Sequence, residues 1–369
     1  MPIFRSADTK IFRRETTRFG GPLIRKDVPP RGRAAYNDIA ERADDLIAQA
    51  RRAVKRLPPI YFDFIHNPQI NAVAFRADGR YFIGLYTGLV FMLRLVIGRM
   101  LADANAFPSV GDPAQERSDI ELLQGYIPNA ESMSQKANLS SPQNDLRRAY
   151  AEFLTDQAIM FYVGHEITHI SHGHVDYLLE KRDIRHSFES SGTKPDRDEL
   201  RFERQCLEQD ADRRSIISRI DSLRVTLARP ENSHMPWAPK ADGVSRLLRD
   251  WNASLSILFR LFGDVRFSRT ELTEAHYPPL AMRRIYSEAV ASWEVHHVWD
   301  GGPAIPIVKA FNEGRTEAEE AFATILGEPV TMVGIELAKT KSAREHTMAL
   351  QDYWNSTVIE RVRPYSYEF

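Results

Sequence analysis

The chain has 369 residues, 43% hydrophobic and 27% charged, which excludes a disordered or low-complexity protein and allows a core of good size. Basic and acidic residues number 49 and 50, for a net charge of −1, so the balance points neither to nucleic acid nor to an acidic lipid surface. Cys206 is the only cysteine, which rules out an internal disulfide and a cysteine-only zinc site and suits a reducing, cytoplasmic setting.

The first twenty residues are basic but lack an apolar core of signal-peptide length, and Asp8 and Glu15 speak against a transit peptide. Residues 36–57 carry apolar side chains at helical spacing until Pro58 and Pro59 stop the pattern. Residues 60–65 and 70–86 read as strands, the second a hairpin that turns at Ala77-Asp78-Gly79. The most apolar stretch starts at Tyr81, but its uncharged run ends at Leu93, before Arg94 and Arg99. That is well short of the roughly 20 apolar residues that span a bilayer, so residues 87–104 predict a buried helix and no membrane insertion. From 105 to 144 Pro, Asn, Ser, Gly and Asp dominate, the composition of a long functional or mobile segment. Residues 145–174 read as one long helix, apolar through its middle, with Gly173 as its stop. A polar stretch at 183–198 separates it from a second strong helix at 199–227. Further helices are expected at 242–262, 279–297 and 314–350. The predicted fold class is α+β, mainly helical with a small sheet near 60–86.

Four of the eleven histidines fall between 161 and 174. His165-Glu166-Ile167-Thr168-His169 is an HExxH motif. Positions i and i+4 lie one turn apart on one helix face, close enough for two imidazoles to converge on one zinc ion. Glu166 sits to the side of that face, where it can take a proton from a water on the metal. The segment before the motif, 158–163, is very apolar, so the cluster lies deep, where unpartnered polar groups are costly. A catalytic zinc site wants a third ligand. The pattern HExxHxxGxxH fails, because His172 and Val175 stand at its Gly and His positions. His172 lies a further turn along, too far to reach the same ion. The best candidate is Glu208, with Asp212 one turn on in the same helix. Asp212 is placed to accept a hydrogen bond from a ligand histidine, and small Ala211 lets the two helices approach.

His165-Glu166-x-x-His169, Gly173-His174 and Glu208-x-x-Ala211-Asp212 together resemble the HtpX/CAAX-prenyl-protease family of zinc metallopeptidases, the gluzincin type in which the Glu of ExxAD is the third ligand. Residues 71–89 resemble that family's "NAFA…GLL" segment, and residues 276–285 its "HPPxxxRI" segment, with Tyr277 inserted. The resemblance covers about residues 60–290. It departs in lacking the family's usual transmembrane helices, in its insertions near 105–144 and 183–198, and in an added C-terminal region. It implies a zincin-like peptidase domain over 59–298, between helical extensions at 1–58 and 299–369. It also implies an edge strand, Asn71, Ala72, Val73, Ala74 and Phe75, that lines the cleft and holds a peptide as an added strand. For the oxyanion it offers His276, then Tyr277 or Arg283.

The expectation is a soluble cytoplasmic endopeptidase with one Zn2+ per chain, Glu166 as general base, and a protein or peptide substrate. Two alternatives stand beside it. One is a catalytically silent binding protein of the same fold. The other is a peptidase of cell defence, like the phage-exclusion group, switched on by a regulatory protein partner. Arg283 and Arg284 are expected in structural ion pairs, His172 and His174 at a helix end, and Cys206 in the core.

Overall fold

The computed structural model describes residues 4–119, 122–123, 140–182, 186–188, 198–227, 243–263, 272, 275, 277–299 and 306–368. The chain starts with two helices, α1 (Phe4–Thr16) and α2 (Pro30–Ala53), then β1 (Ile60–Ile65), β2 (Ala72–Ala77), β3 (Arg80–Tyr86) and α3 (Thr87–Leu101). The hairpin between β2 and β3 turns on Asp78 and Gly79, both with positive φ (49° and 73°), the geometry whose twist matches the flanking strands. β1 lies parallel to β3 on its other side, from Ile60 opposite Tyr81 to Ile65 opposite Tyr86.

Both faces of this sheet are buried, which is why its strands read as nearly continuous apolar runs. On one face Ile65, Val73, Phe75, Phe82 and Tyr86 pack against Phe12 of α1. On the other Phe62, Phe64, Ala74, Ile83 and Leu85 join the main core. A fourth strand, β4 (His186–Phe188), falls inside the polar stretch at 183–198 and lies antiparallel along β2. The order is β1-β3-β2-β4. The strand expected at a free edge is therefore an inner strand, because the chain's own residues 186–188 satisfy the backbone groups an edge leaves open.

The helices that carry the rest are α4 (Asp145–Ser171), α5 (His174–Arg182), α6 (Asp198–Leu227), α7 (Gly243–Phe262) and α8 (Leu280–Val298). α4 runs through the middle of the molecule and touches α2, α3, α6, α7 and the sheet. The Asn144 side chain caps it by accepting from the Leu146 and Arg147 N–H groups. The fully buried Arg147 guanidinium donates to five carbonyls, of Leu101, Asp103, Ala106, Phe107 and Val110, at 2.7–2.9 Å. One buried cation thus gathers the chain from the end of α3 to Val110, which includes the start of the irregular segment at 105.

The helix expected at 314–350 is three helices, α9 (Ile307–Leu326), α10 (Val333–Ala338) and α11 (Lys341–Tyr353), followed by a short α12 (Ile359–Val362). Gly327, at φ 67°, takes the chain out of α9, and Pro329 cannot continue it. Phe311, Phe322 and Ile325 of α9 belong to the main core. Leu350 of α11, Trp354 and Val358 bury Tyr177, Cys206 and Leu207. The region expected as a C-terminal extension thus shares the core of the rest. Among the described residues no helix is long and apolar enough to cross a membrane.

Candidate metal centre

The site begins with the close packing of α4 on α6. A Cβ on Gly164 would stand 2.7 Å from Ser215 Oγ, which itself donates to the Phe161 carbonyl at 2.6 Å. Gly164 and Ser215, with the buried Ala211, let the two helices lie near enough for side chains one atom layer deep to meet between them.

There His165 Nε2 lies 3.0 Å from His169 Nε2 and 3.2 Å from Glu208 Oε2, and His169 Nε2 lies 3.5 Å from Glu208 Oε1. Ligands at about 2.0–2.1 Å from a tetrahedral ion stand about 3.3 Å from one another, and the separations between these two imidazoles and the carboxylate are close to that. His165, His169 and Glu208 are each at most 4% exposed.

The proton arrangement fits an ion. Arg283 of α8 grips Asp212 with two hydrogen bonds of 2.8 Å, and Asp212 Oδ1 lies 3.0 Å from His165 Nδ1. A carboxylate so held is an acceptor, so His165 donates from Nδ1 and turns Nε2 toward His169 and Glu208. Burial alone would lower the His165 pKa, but the Asp212 and Glu208 carboxylates outweigh it and raise it to about 9. Burial likewise pushes Glu208 up, and the imidazoles of His169 and His165 outweigh that and hold it at about 2. Without an ion His165 is thus protonated on both nitrogens beside a negative carboxylate, a cation would take the place of the Nε2 proton, and these buried groups could hold a metal ion.

Glu166 lies beside the group, 2% exposed, and its Oε2 has no hydrogen-bond partner among the described residues. Burial raises its carboxyl to about 8, against the pull of His165 and of the Ala74 backbone N–H. That N–H ties the site to β2.

Other expected residues are placed differently. Asn71, Ala72, Val73, Ala74 and Phe75 are all buried, and Val73, Ala74 and Phe75 pair with Phe188, Ser187 and His186, so this segment offers no open edge. His276 lies outside the described residues. The Tyr277 hydroxyl accepts from Arg204 at 3.3 Å, and Arg283 is engaged by Asp212. Arg284 pairs with Glu319 at 2.6 Å, and Cys206 is buried, both as expected. His172 stands at the C-terminal end of α4, as expected, and His174 opens α5, but both are buried. The chain turns at Gly173, φ 81°, and both imidazoles go inward to Asp210. Asp210 was not singled out in the sequence, since it stands two positions from Glu208 on a highly charged helix. A cavity of about 680 Å³ is lined by Gly164, Ile167, Thr168, Arg214 and Asp221 among others. His165, Glu166, His169 and Glu208 do not line it.

No family model, no curated protein and no solved structure matches this chain.

Proposed function

We propose that the chain is a zinc-dependent endopeptidase of zincin-like type, working at His165, Glu166, His169 and Glu208. The observation that carries this reading is the convergence of two imidazole nitrogens and one carboxylate at 3.0–3.5 Å, with a second carboxylate buried beside them, one of whose oxygens has no hydrogen-bond partner among the described residues. Two histidines and one glutamate suit zinc and leave a fourth position open. A zinc ion there would supply Lewis acidity to water and to the scissile carbonyl. The positive charge of a bound cation would favour the ionised Glu166, which takes the proton from the attacking water as its oxygen bonds the carbonyl carbon, and gives that proton to the amine nitrogen as the C–N bond breaks. Asp212, held by Arg283, keeps His165 in the tautomer that presents Nε2. A purely structural metal site has no use for the buried Glu166, which weighs against a silent binding protein.

The test is zinc content and cleavage of an unstructured protein by the wild type and by Glu166→Gln. We expect about one zinc per chain in both and cleavage reduced about 10²–10⁴-fold in the variant. An active Glu166→Gln protein, or a wild type without zinc, would contradict the reading.

A second reading, a peptidase that needs a trigger, is favoured by one observation. β4 lies along β2 beside Glu166, where an extended peptide would pair, so the edge opens only when residues 186–188 leave it. The trigger would then be whatever removes β4, a regulatory protein partner or a cut in the segment at 183–198.

A further inference from the structure

We propose that His174, and Asp210 through it, position the His169 imidazole for its cation; this rests on the reading of His165, His169 and Glu208 as ligands. His169 Nδ1 lies 3.0 Å from His174 Nδ1, so one ring must donate and the other accept. A neutral imidazole has one proton. His169 needs its Nε2 lone pair for the ion, so its proton sits on Nδ1 and goes to His174. His174 then accepts at Nδ1 and carries its own proton on Nε2, which faces Asp210 Oδ2 at 3.4 Å. A carboxylate at that end favours this tautomer of His174 over the other, and the other would force the His169 proton onto Nε2 and block ligation.

The surroundings hold the chain of groups in place. His174 is fully buried, with the Trp354 ring edge-on at 5.8 Å. Asp210 Oδ2 accepts from His172 Nδ1 at 2.5 Å, and His172 Nε2 lies 3.3 Å from Glu368 Oε2 near the C-terminus. The Tyr367 N–H and the Ser366 hydroxyl both donate to the Ser171 carbonyl, which fastens this tail to the end of α4. His172, His174 and Asp210 have the spacing of a second cation site, with ligand atoms within 4.8 Å of one another. The proton arrangement decides against it. While His169 donates to His174, the His174 Nε2 is an N–H and has no lone pair to offer. The inference is therefore one cation per chain, with His174 and Asp210 as positioning residues.

The experiment uses the full chain stripped of metal, titrated with Zn2+ against a chromophoric chelator and separately with Co2+, whose visible bands report ligand geometry. Three variants are compared. His174→Asn places a carbonyl oxygen near the lost Nδ1, His174→Gln places one near the lost Nε2, and Asp210→Asn removes the charge. We expect His174→Asn to bind Zn2+ within about 3-fold of wild type and His174→Gln about 10–100-fold more weakly. The Co2+ bands should shift in His174→Gln while both metal-free variants melt at the same temperature. Asp210→Asn added to His174→Gln should weaken binding no further, because Asp210 acts only through His174. Equal affinities for the Asn and Gln variants would overturn the proposal, as would a second Zn2+ equivalent in wild type lost in Asp210→Asn. A wild type that binds tightly beside unaffected variants sinks only the role of His174, whereas a wild type that binds neither metal sinks the ligand reading with it.

Discussion

A buried carboxylate keeps its charge only where donors replace the water it has lost, and Asp212 has a bidentate arginine and an imidazole around it. Removing the arginine leaves that charge uncompensated. Arg283→Met should therefore cost the metal-free protein about 3–5 kcal/mol of stability, and adding Asp212→Asn should recover part of it. Urea denaturation of the three proteins checks this; a loss within the noise for Arg283→Met would show that the pair is not a structural anchor. At this scale the sequence was informative where chemistry and helical spacing coincide. His165 and His169 follow from i, i+4 geometry, and Glu208 and Asp212 follow from the same spacing on the partner helix. His174 and Asp210 do not, because their meeting depends on the turn at Gly173 and on how α5 is tucked back against α6, which no local spacing encodes.

The elements that host the site were legible in proportion to their length and burial. α4 and α6 announce themselves by long patterned runs, and the β2–β3 hairpin by its Asp-Gly turn. β4 was invisible. Three residues in a polar stretch carry no alternation, and only the open side of β2 makes them a strand. The helix expected at 314–350 breaks because Gly327 takes a left-handed conformation there. If β4 blocks the peptide's path, weakening its pairing opens the site. Ser187 stands opposite Ala74, and a proline there removes a backbone donor and disfavours strand pairing. Ser187→Pro should raise cleavage of an unstructured protein several-fold with zinc content and melting temperature unchanged. Unaltered cleavage, in a protein whose wild type is active, would remove β4 from the account.

Across the whole molecule the site joins parts far apart in sequence. α4 supplies two imidazoles and α6 a carboxylate, α8 supplies the arginine behind Asp212, and the tail fastens the end of α4. An ion that two of these parts, α4 and α6, hold in the folded state alone must stabilise the fold, by about 4 kcal/mol at a thousandfold excess over its dissociation constant. Stripping the metal with a chelator should lower the melting temperature, and zinc should restore it; a melting temperature indifferent to zinc would speak against a ligand set on two helices. The division into a central domain and two extensions was the least legible feature. Whether a C-terminal helix is an appendage depends on what its apolar face meets, and here Phe311 and Phe322 join the main core while Leu350 packs in a smaller cluster with Tyr177, Cys206 and Leu207. The most direct test of the central claim is anomalous diffraction at the zinc edge from crystals grown with zinc. One peak is expected, at about 2.0–2.2 Å from His165 Nε2, His169 Nε2 and a Glu208 oxygen. A peak between His172, His174 and Asp210 instead, or none, would contradict it.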